Sequence, residues 1–269
     1  MDLGIRGRVA LVTGGTHGMG RVTAERLGSE GARVVVVARG RPGLDETVAA
    51  ITASGGEAVG VSADLTDLAA YDYIADETRK AFGAPDIAIF TPVAPPSGGF
   101  DAFDDADFDE AYGNIVKAFR HFARSVVPAM KERCWGRIVT IGSGAAKSPA
   151  RASVLNFDYI LANVVRPAGL GLSRSLADEL GRFGITVNTV APGFIDTGEA
   201  YGAFFEKCAD DAGMAYEPFM KDFLRRIPAN RFGRPEEVGA LVAFLCSRDA
   251  GYISGQYIVA DGGYMQAYH

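Results

Sequence analysis

Short runs of β-branched and apolar residues alternate with longer amphipathic stretches from one end of the chain to the other. Val9 to Thr13, Arg33 to Ala38 (RVVVVA), Ala58 to Ala63, Asp86 to Thr91 (DIAIFT), Arg137 to Ile141, Ile185 to Val190 and Gly255 to Ala260 read as strands. Most are apolar at nearly every position rather than at alternate ones, the pattern of strands covered on both faces. Between them, Arg21 to Glu30, Asp107 to Arg133 and Ser153 to Arg182 carry helical periodicity. The alternation predicts an α/β chain with a doubly wound parallel sheet of about seven strands and helices on both faces. No linker, repeat or low-complexity tract interrupts it, so residues 1–269 are expected to form a single domain. Asp196 to Arg231 breaks the pattern. It is rich in aromatics (Tyr201, Phe204, Phe205, Tyr216, Phe219, Phe223) and too long for a plain connection. It reads as a lid at about 196–231, as a helix pair packed on itself, or as both.

Composition narrows the function. The chain has 269 residues, 48% of them hydrophobic, enough for a sizeable core and too many for a disordered chain. No apolar run approaches the roughly 18 residues of a membrane-spanning helix. The net charge is -6, from 27 basic and 33 acidic residues with no basic tract, so neither a membrane nor nucleic acid is an expected partner. Cys134, Cys208 and Cys246 have no metal or redox spacing and point to a reducing, cytoplasmic compartment. The first strand begins near Arg8, so no secretion signal is expected. His17, His121 and His269 are scattered, and no metal site is expected.

The strongest local signal is the run Thr13-Gly14-Gly15-Thr16-His17-Gly18-Met19-Gly20, which follows the first strand and opens a helix. In such a turn Gly14 permits the tight bend, Gly18 lets backbone approach a pyrophosphate, and Gly20 lets the helix lie close to the sheet. The helix N-terminus then turns free N–H groups towards the phosphates. The T-G-x-x-x-G-x-G spacing resembles that of the classical short-chain dehydrogenase/reductase family, and further matches follow in order. Asp64-Leu65 resembles the pair that holds the adenine, Asn114 the catalytic-helix asparagine, and Gly136 to Ser143 the strand that ends in the active-site serine. Gly184 to Asn188 with Ala191 to Thr197, which includes Pro192, Gly193, Ile195 and Thr197, resembles the segment that seats the nicotinamide, and Asp261-Gly262-Gly263 the C-terminal signature. The resemblance implies a Rossmann-like fold and a homo-oligomer, a tetramer or dimer.

The resemblance also exposes departures. The family pairs a tyrosine with a lysine four residues later; the lysine's charge lowers the phenol pKa and binds the nicotinamide ribose. Counting back without gaps from Leu172 to Ala177 and from Gly184 to Asn188 puts Ala162 and Arg166 at those positions. Choosing the only nearby tyrosine instead gives Tyr159 followed by Asn163. The first register is preferred, because packing fixes the helix length between site and strand. Tyr159 then lies one turn before Ala162, about 300° of rotation and 4.5 Å of rise away, near the same face. Ser143, Asn114, Tyr159, Lys147 and Arg166 are therefore the catalytic candidates, with Arg166 also placed to bond ribose hydroxyls. The fourth strand is followed by Thr91-Pro92-Val93 where the family has Asn-Asn-Ala-Gly, which leaves Thr91 and backbone groups at the adenosine.

The second strand ends in Ala38-Arg39-Gly40-Arg41. Ala38 can neither bond a ribose 2′-hydroxyl nor repel a 2′-phosphate, whereas Arg39, with Arg41 and His17, offers positive charge there. NADP(H) is expected over NAD(H). The cofactor set is then Gly14, Thr16, His17, Gly18, Met19, Gly20, Arg39, Asp64, Leu65, Thr91, Arg166, Pro192, Gly193, Ile195 and Thr197. The expected activity is NADP(H)-dependent reduction of a ketone or quinone-like carbonyl, or oxidation of the alcohol, on a small, aromatic or secondary-metabolite substrate. A non-redox step on the same scaffold (dehydration, isomerisation or cyclisation) and a non-catalytic NADPH-binding protein are the alternatives.

Overall fold

The computed structural model describes residues 2–149 and 158–265. Seven strands form one sheet: β1 (Val9–Thr13), β2 (Arg33–Ala38), β3 (Glu57–Ser62), β4 (Ile87–Phe90), β5 (Gly136–Ile141), β6 (Ile185–Pro192) and β7 (Tyr257–Ala260). Every pairing is parallel and the order is β3-β2-β1-β4-β5-β6-β7. The chain thus starts in the middle, runs outward to β3, returns beside β1 and runs outward again to β7. The reversal between β1 and β4 opens a crevice beyond their C-terminal ends, where ligands bind in sheets of this kind.

Both faces of the sheet are covered, as the unbroken apolar runs require. On one side Ala10, Val12, Val34, Val36 and Ile89 meet α1 (Gly18–Ser29), α2 (Arg41–Ala53) and α9 (Pro235–Leu245) through Leu27, Ile51 and Val242. On the other, Leu11, Val35, Val37 and Phe90 meet α3 (Ala70–Phe82), α5 (Ala118–Glu132) and α6 (Ile160–Leu180) through Ile74, Phe119, Phe122 and Leu180. Neighbours in a strand face opposite layers, so each strand ties both cores to one ladder. Each buried valine, leucine or isoleucine contributes roughly 1.5–3 kcal/mol to that assembly.

Helix ends differ from the sequence reading. The expected helix over Asp107 to Arg133 is α4 (Asp105–Tyr112), a π turn (Gly113–Lys117) and then α5. It starts early because Asp104 caps it, accepting from the N–H groups of Ala106 (2.8 Å) and Asp107 (3.2 Å), while Asp107 accepts from Asp104 N–H. The expected helix start at Ser153 lies outside the described residues, as does His269. Tyr159, expected inside that helix, stands at its N-cap with φ -136 and ψ 41 and forms a bridge with Gly98. The stretch after residue 196 holds α7 (Glu199–Asp211) and α8 (Tyr216–Leu224), whose facing sides close around Phe205, Phe219 and Phe223. Among the described residues, no helix is long and apolar enough to cross a membrane.

Candidate active site

The glycine turn sits where the fold predicts, between β1 and α1. Gly14 has φ +64, a conformation side chains resist, and a Cβ on Gly20 would fall against the carbonyl oxygen of Gly14. Helix α1 therefore starts hard against the end of β1. Its N-cap residue His17 makes no side-chain capping bond, and no acidic residue lies in its first turn. The first N–H groups are free to receive an anion. Thr13 Oγ1 accepts from Thr91 N–H at 2.9 Å and donates to the Ile89 carbonyl at 3.2 Å, which locks the ends of β1 and β4 together. The hydroxyl of Thr91 is buried without a hydrogen-bond partner among the described residues.

Other expected cofactor positions lie in the turn itself and after the ends of β2, β3 and β6. Thr16 bonds the His17 ring at 2.9 Å. Arg39 and Arg41 are exposed at the end of β2, and neither has an ion-pair partner among the described residues. Asp64 follows β3; hydrogen bonds from the Thr66 N–H and hydroxyl, helped by the charge of Arg39, hold its carboxyl below the usual range. Leu65 is buried and its carbonyl accepts from Tyr71 at 3.0 Å. Thr197 lies against Gly18, within 3.1 Å of where a Cβ there would stand, and Ile195 is buried beside a bridge to Gly233. An open helix N-terminus, a glycine cradle that a Cβ would fill and unpaired arginines beyond it fit a phosphorylated dinucleotide.

Beyond β5, β6 and β7 lies a cleft of about 760 Å³, lined by Ser143, Tyr159, Arg166, Pro192 and Gly193 with aromatic side chains from the segment after β6. Ser143 ends β5 and caps a short 3-10 turn (Gly144–Ala146), its hydroxyl accepting from Ala145 N–H at 3.3 Å. Arg166 lines both this cleft and a cavity of about 30 Å³ behind Ser143. Its Nε is buried with no hydrogen-bond partner among the described residues, and burial pulls its pKa down against the opposing pull of Tyr159 and Tyr257. Burial pushes the Tyr159 phenol up, while the nearby charge of Arg166 acts the other way.

Two other candidates stand apart. Asn114 is buried in the π turn, donates to Glu110 at 3.5 Å, and lines neither cavity. Lys147 is exposed, with its ammonium 5.2 Å from the centre of the Tyr257 ring, and lines neither cavity. Tyr257 itself went unforeseen. From β7 its hydroxyl donates to the carbonyls of Ser143 (2.9 Å) and Gly144 (3.0 Å), and burial raises its pKa to about 12. Phe204, Arg225, Arg226 and Tyr264 are cleft residues that motif spacing does not single out, whereas Phe194 lies within the Ala191 to Thr197 motif.

Residues 14–265 match the family model described as enoyl-(acyl carrier protein) reductase. The chain belongs to the classical short-chain dehydrogenase/reductase family. Among relatives in this oxidoreductase family, it is 33% identical over 266 residues to the BbsD subunit of (2S)-[(R)-hydroxy(phenyl)methyl]succinyl-CoA dehydrogenase from Thauera aromatica, covering 97% of this chain and 98% of that one. It is 32% identical to 3-oxoacyl-[acyl-carrier-protein] reductase FabG of Haemophilus influenzae over 262 residues, 96% of this chain and 98% of the relative. Among solved structures, L-sorbose reductase from Gluconobacter frateurii, complexed with NADPH and L-sorbose, superposes with a TM-score of 0.90 at 29% identity, covering 99% of this chain and 100% of that one. The seven-stranded sheet is thus the short-chain dehydrogenase/reductase frame, with the glycine turn following β1 and the serine turn following β5.

Proposed function

We propose that the protein is an NADP(H)-dependent oxidoreductase that reduces a ketone or quinone-like carbonyl, or oxidises the corresponding alcohol, on a small aromatic substrate. The observation that carries the reading is the convergence of Ser143, Tyr159 and Arg166 on one cleft with Pro192 and Gly193. When bound, the dinucleotide supplies the hydride to the carbonyl carbon or takes it back. Ser143 then donates a hydrogen bond to the carbonyl oxygen and fixes its position. As that oxygen gains charge, the Tyr159 hydroxyl gives it a proton. Burial keeps the phenol protonated at neutral pH, and Arg166 stabilises the phenolate left behind. Arg166 cannot be the donor, because a guanidinium keeps its protons, but its buried Nε offers a bond to a ribose hydroxyl.

This arrangement is an atypical site: tyrosine and cation come from positions 159 and 166 rather than from a Tyr-x-x-x-Lys pair. Asn114 and Lys147 act, in this reading, outside the reacting centre. The helix pair between 196 and 231 is the substrate lid, and the preference for NADP(H) rests on Ala38 and the two unpaired arginines after it. The NADPH complex of the sorbose reductase supports the same choice.

Steady-state oxidation of NADPH over a panel of aryl ketones and quinones tests the reading. Turnover is expected, with Tyr159→Phe losing about 10²–10⁴ in kcat. Arg39→Ala is expected to weaken NADPH at least about tenfold and leave NADH unchanged. Tight NADPH binding without turnover of any member, or product masses unchanged by two hydrogens, overturns the redox step.

A further inference from the structure

The cleft has a charge pattern opposite to that of the molecule. The whole chain carries -6, yet among the described residues the charged side chains lining the cleft are Arg166, Arg225 and Arg226 against Asp261 alone. Asp261 is already engaged, since its oxygens accept from the N–H groups of Gly263 (2.9 Å) and Met265 (2.6 Å). Arg226 is held by Asp222 at 2.8 Å. Arg225, at the end of α8, has no ion-pair partner among the described residues and is exposed on the lid side of the cleft. Aromatic walls, Phe194, Phe204, Tyr201 and Tyr264, complete the space it shares with Ser143 and Arg166.

Apolar walls around one sign of charge concentrate counter-ions and strengthen a pair formed inside. A guanidinium presents two parallel N–H donors that match a carboxylate. One free guanidinium matches one negative charge; a phosphate dianion calls for a second, and Arg226 is taken by Asp222. The phosphates of a dinucleotide have their own donors at the N-terminus of α1 and at Arg39. We infer that Arg225 recognises a carboxylate on the substrate, remote from the reacting carbonyl, so that the ligand is an aromatic keto acid or hydroxy acid and not a neutral ketone. This rests on the oxidoreductase reading for which end of the ligand reacts, and not for the presence of the anion site.

The test uses matched pairs: 3-benzoylpropionate, 4-benzoylbutyrate and 5-benzoylvalerate, each against its methyl ester. NADPH oxidation is followed with the whole protein at an ionic strength of about 0.01 M, where the Debye length is ~30 Å. At the fitting chain length the acid is expected to exceed its ester by about tenfold in kcat/KM, and added salt shrinks the ratio. Arg225→Gln brings the ratio near unity, whereas Arg226→Gln, whose parent is already paired, moves it less. Thermal unfolding of each variant separates loss of fold from loss of recognition. Equal turnover of acid and ester, or a preference that survives Arg225→Gln in a folded variant, overturns the inference and leaves the reductase reading standing. If no member turns over, calorimetric titration of the same pairs decides. Tighter acid binding abolished by Arg225→Gln upholds the carboxylate site while the reductase reading falls, and equal or undetectable binding overturns the inference.

Discussion

Replacing Tyr257 by phenylalanine removes one oxygen from the structure and, with it, the tie between the last strand and the serine turn. The hydroxyl is shared between two carbonyls, at 2.9 and 3.0 Å. Neither carbonyl is stranded by its loss: Ser143 O still accepts from Ala146 N–H, and Gly144 O from the N–H groups of Lys147 and Ser148. The stability cost is therefore that of one net hydrogen bond, about 0.5–1.5 kcal/mol, with none of the larger penalty of a buried unpaired acceptor. For a domain of this size that lowers the unfolding midpoint by roughly 2–4 °C per kcal/mol. Catalysis is more exposed than stability. Ser143 caps the turn that Tyr257 holds, and displacing a reacting group by on the order of 1 Å costs about 10²-fold in rate. The expected result is a kcat reduced about 10- to 100-fold in NADPH oxidation, a midpoint lowered by only a few degrees, and NADPH affinity changed far less than kcat, because the hydroxyl bonds the serine turn and not the residues from Gly14 to Gly20. A kcat within about twofold of the parent refutes the argument that the hydroxyl sets the serine. A midpoint lowered by roughly 10 °C refutes the hydrogen-bond bookkeeping.

Other consequences are equally open to measurement. Glu237 is held at about 2, down from 4.5, by the Arg231 guanidinium and the Arg234 N–H, so its contribution to stability is present above pH 4.5 and lost as pH falls towards 2. Glu237→Gln is expected to flatten that acid limb in pH-dependent urea unfolding; an unaltered limb denies the pair a role. Phe223 packs edge-on to Phe194 (4.8 Å) and Phe205 (4.9 Å), and Phe223→Ala should loosen residues 196–231 in hydrogen exchange while the sheet strands keep their protection. Uniform loss of protection across the chain contradicts a separable lid. Gly20→Ala pushes a Cβ into the Gly14 carbonyl and is expected to lower both the unfolding midpoint and NADPH affinity, whereas Gly171→Ala, at an exposed helix position where an added Cβ meets none of the described residues within 4 Å, should stabilise by about 0.5–1 kcal/mol. Equal effects of the two changes in a thermal melt count against the close approach of α1 to β1.

What the amino-acid order reveals depends on how far apart the cooperating residues lie. The buried strands and the turn from Gly14 to Gly20 are local patterns, and each appears at the expected place. Helix α3 has little signal in the sequence because its buried face amounts to Tyr71, Ile74, Ala75 and Thr78 in an otherwise largely charged segment. The π turn at Asn114 leaves no trace, since a run of helical periodicity continues on both sides of it. Tyr159 looked helical by spacing, but its pairing with Gly98, from a segment far earlier in the chain, sets the cap. Lys147 follows Ser143 by four residues, and the approach of its ammonium to the Tyr257 ring, 5.2 Å from the centre, has no counterpart in that spacing. Tyr257 itself was invisible, because its partners are 114 and 113 residues away. Side chains that meet only through tertiary packing carry no signature in spacing.

Among the described residues, the aromatic cluster built on Phe205, Phe219, Phe223 and Ile227 shares no buried member with the two layers that clothe the sheet. Evolution can accordingly rewrite the outer wall of the cleft without renegotiating the frame. If the proposed lid reading holds, a lineage that exchanges Phe204 or Arg225 for another side chain alters which molecules are admitted, while the seven strands and the glycine turn stay as they are.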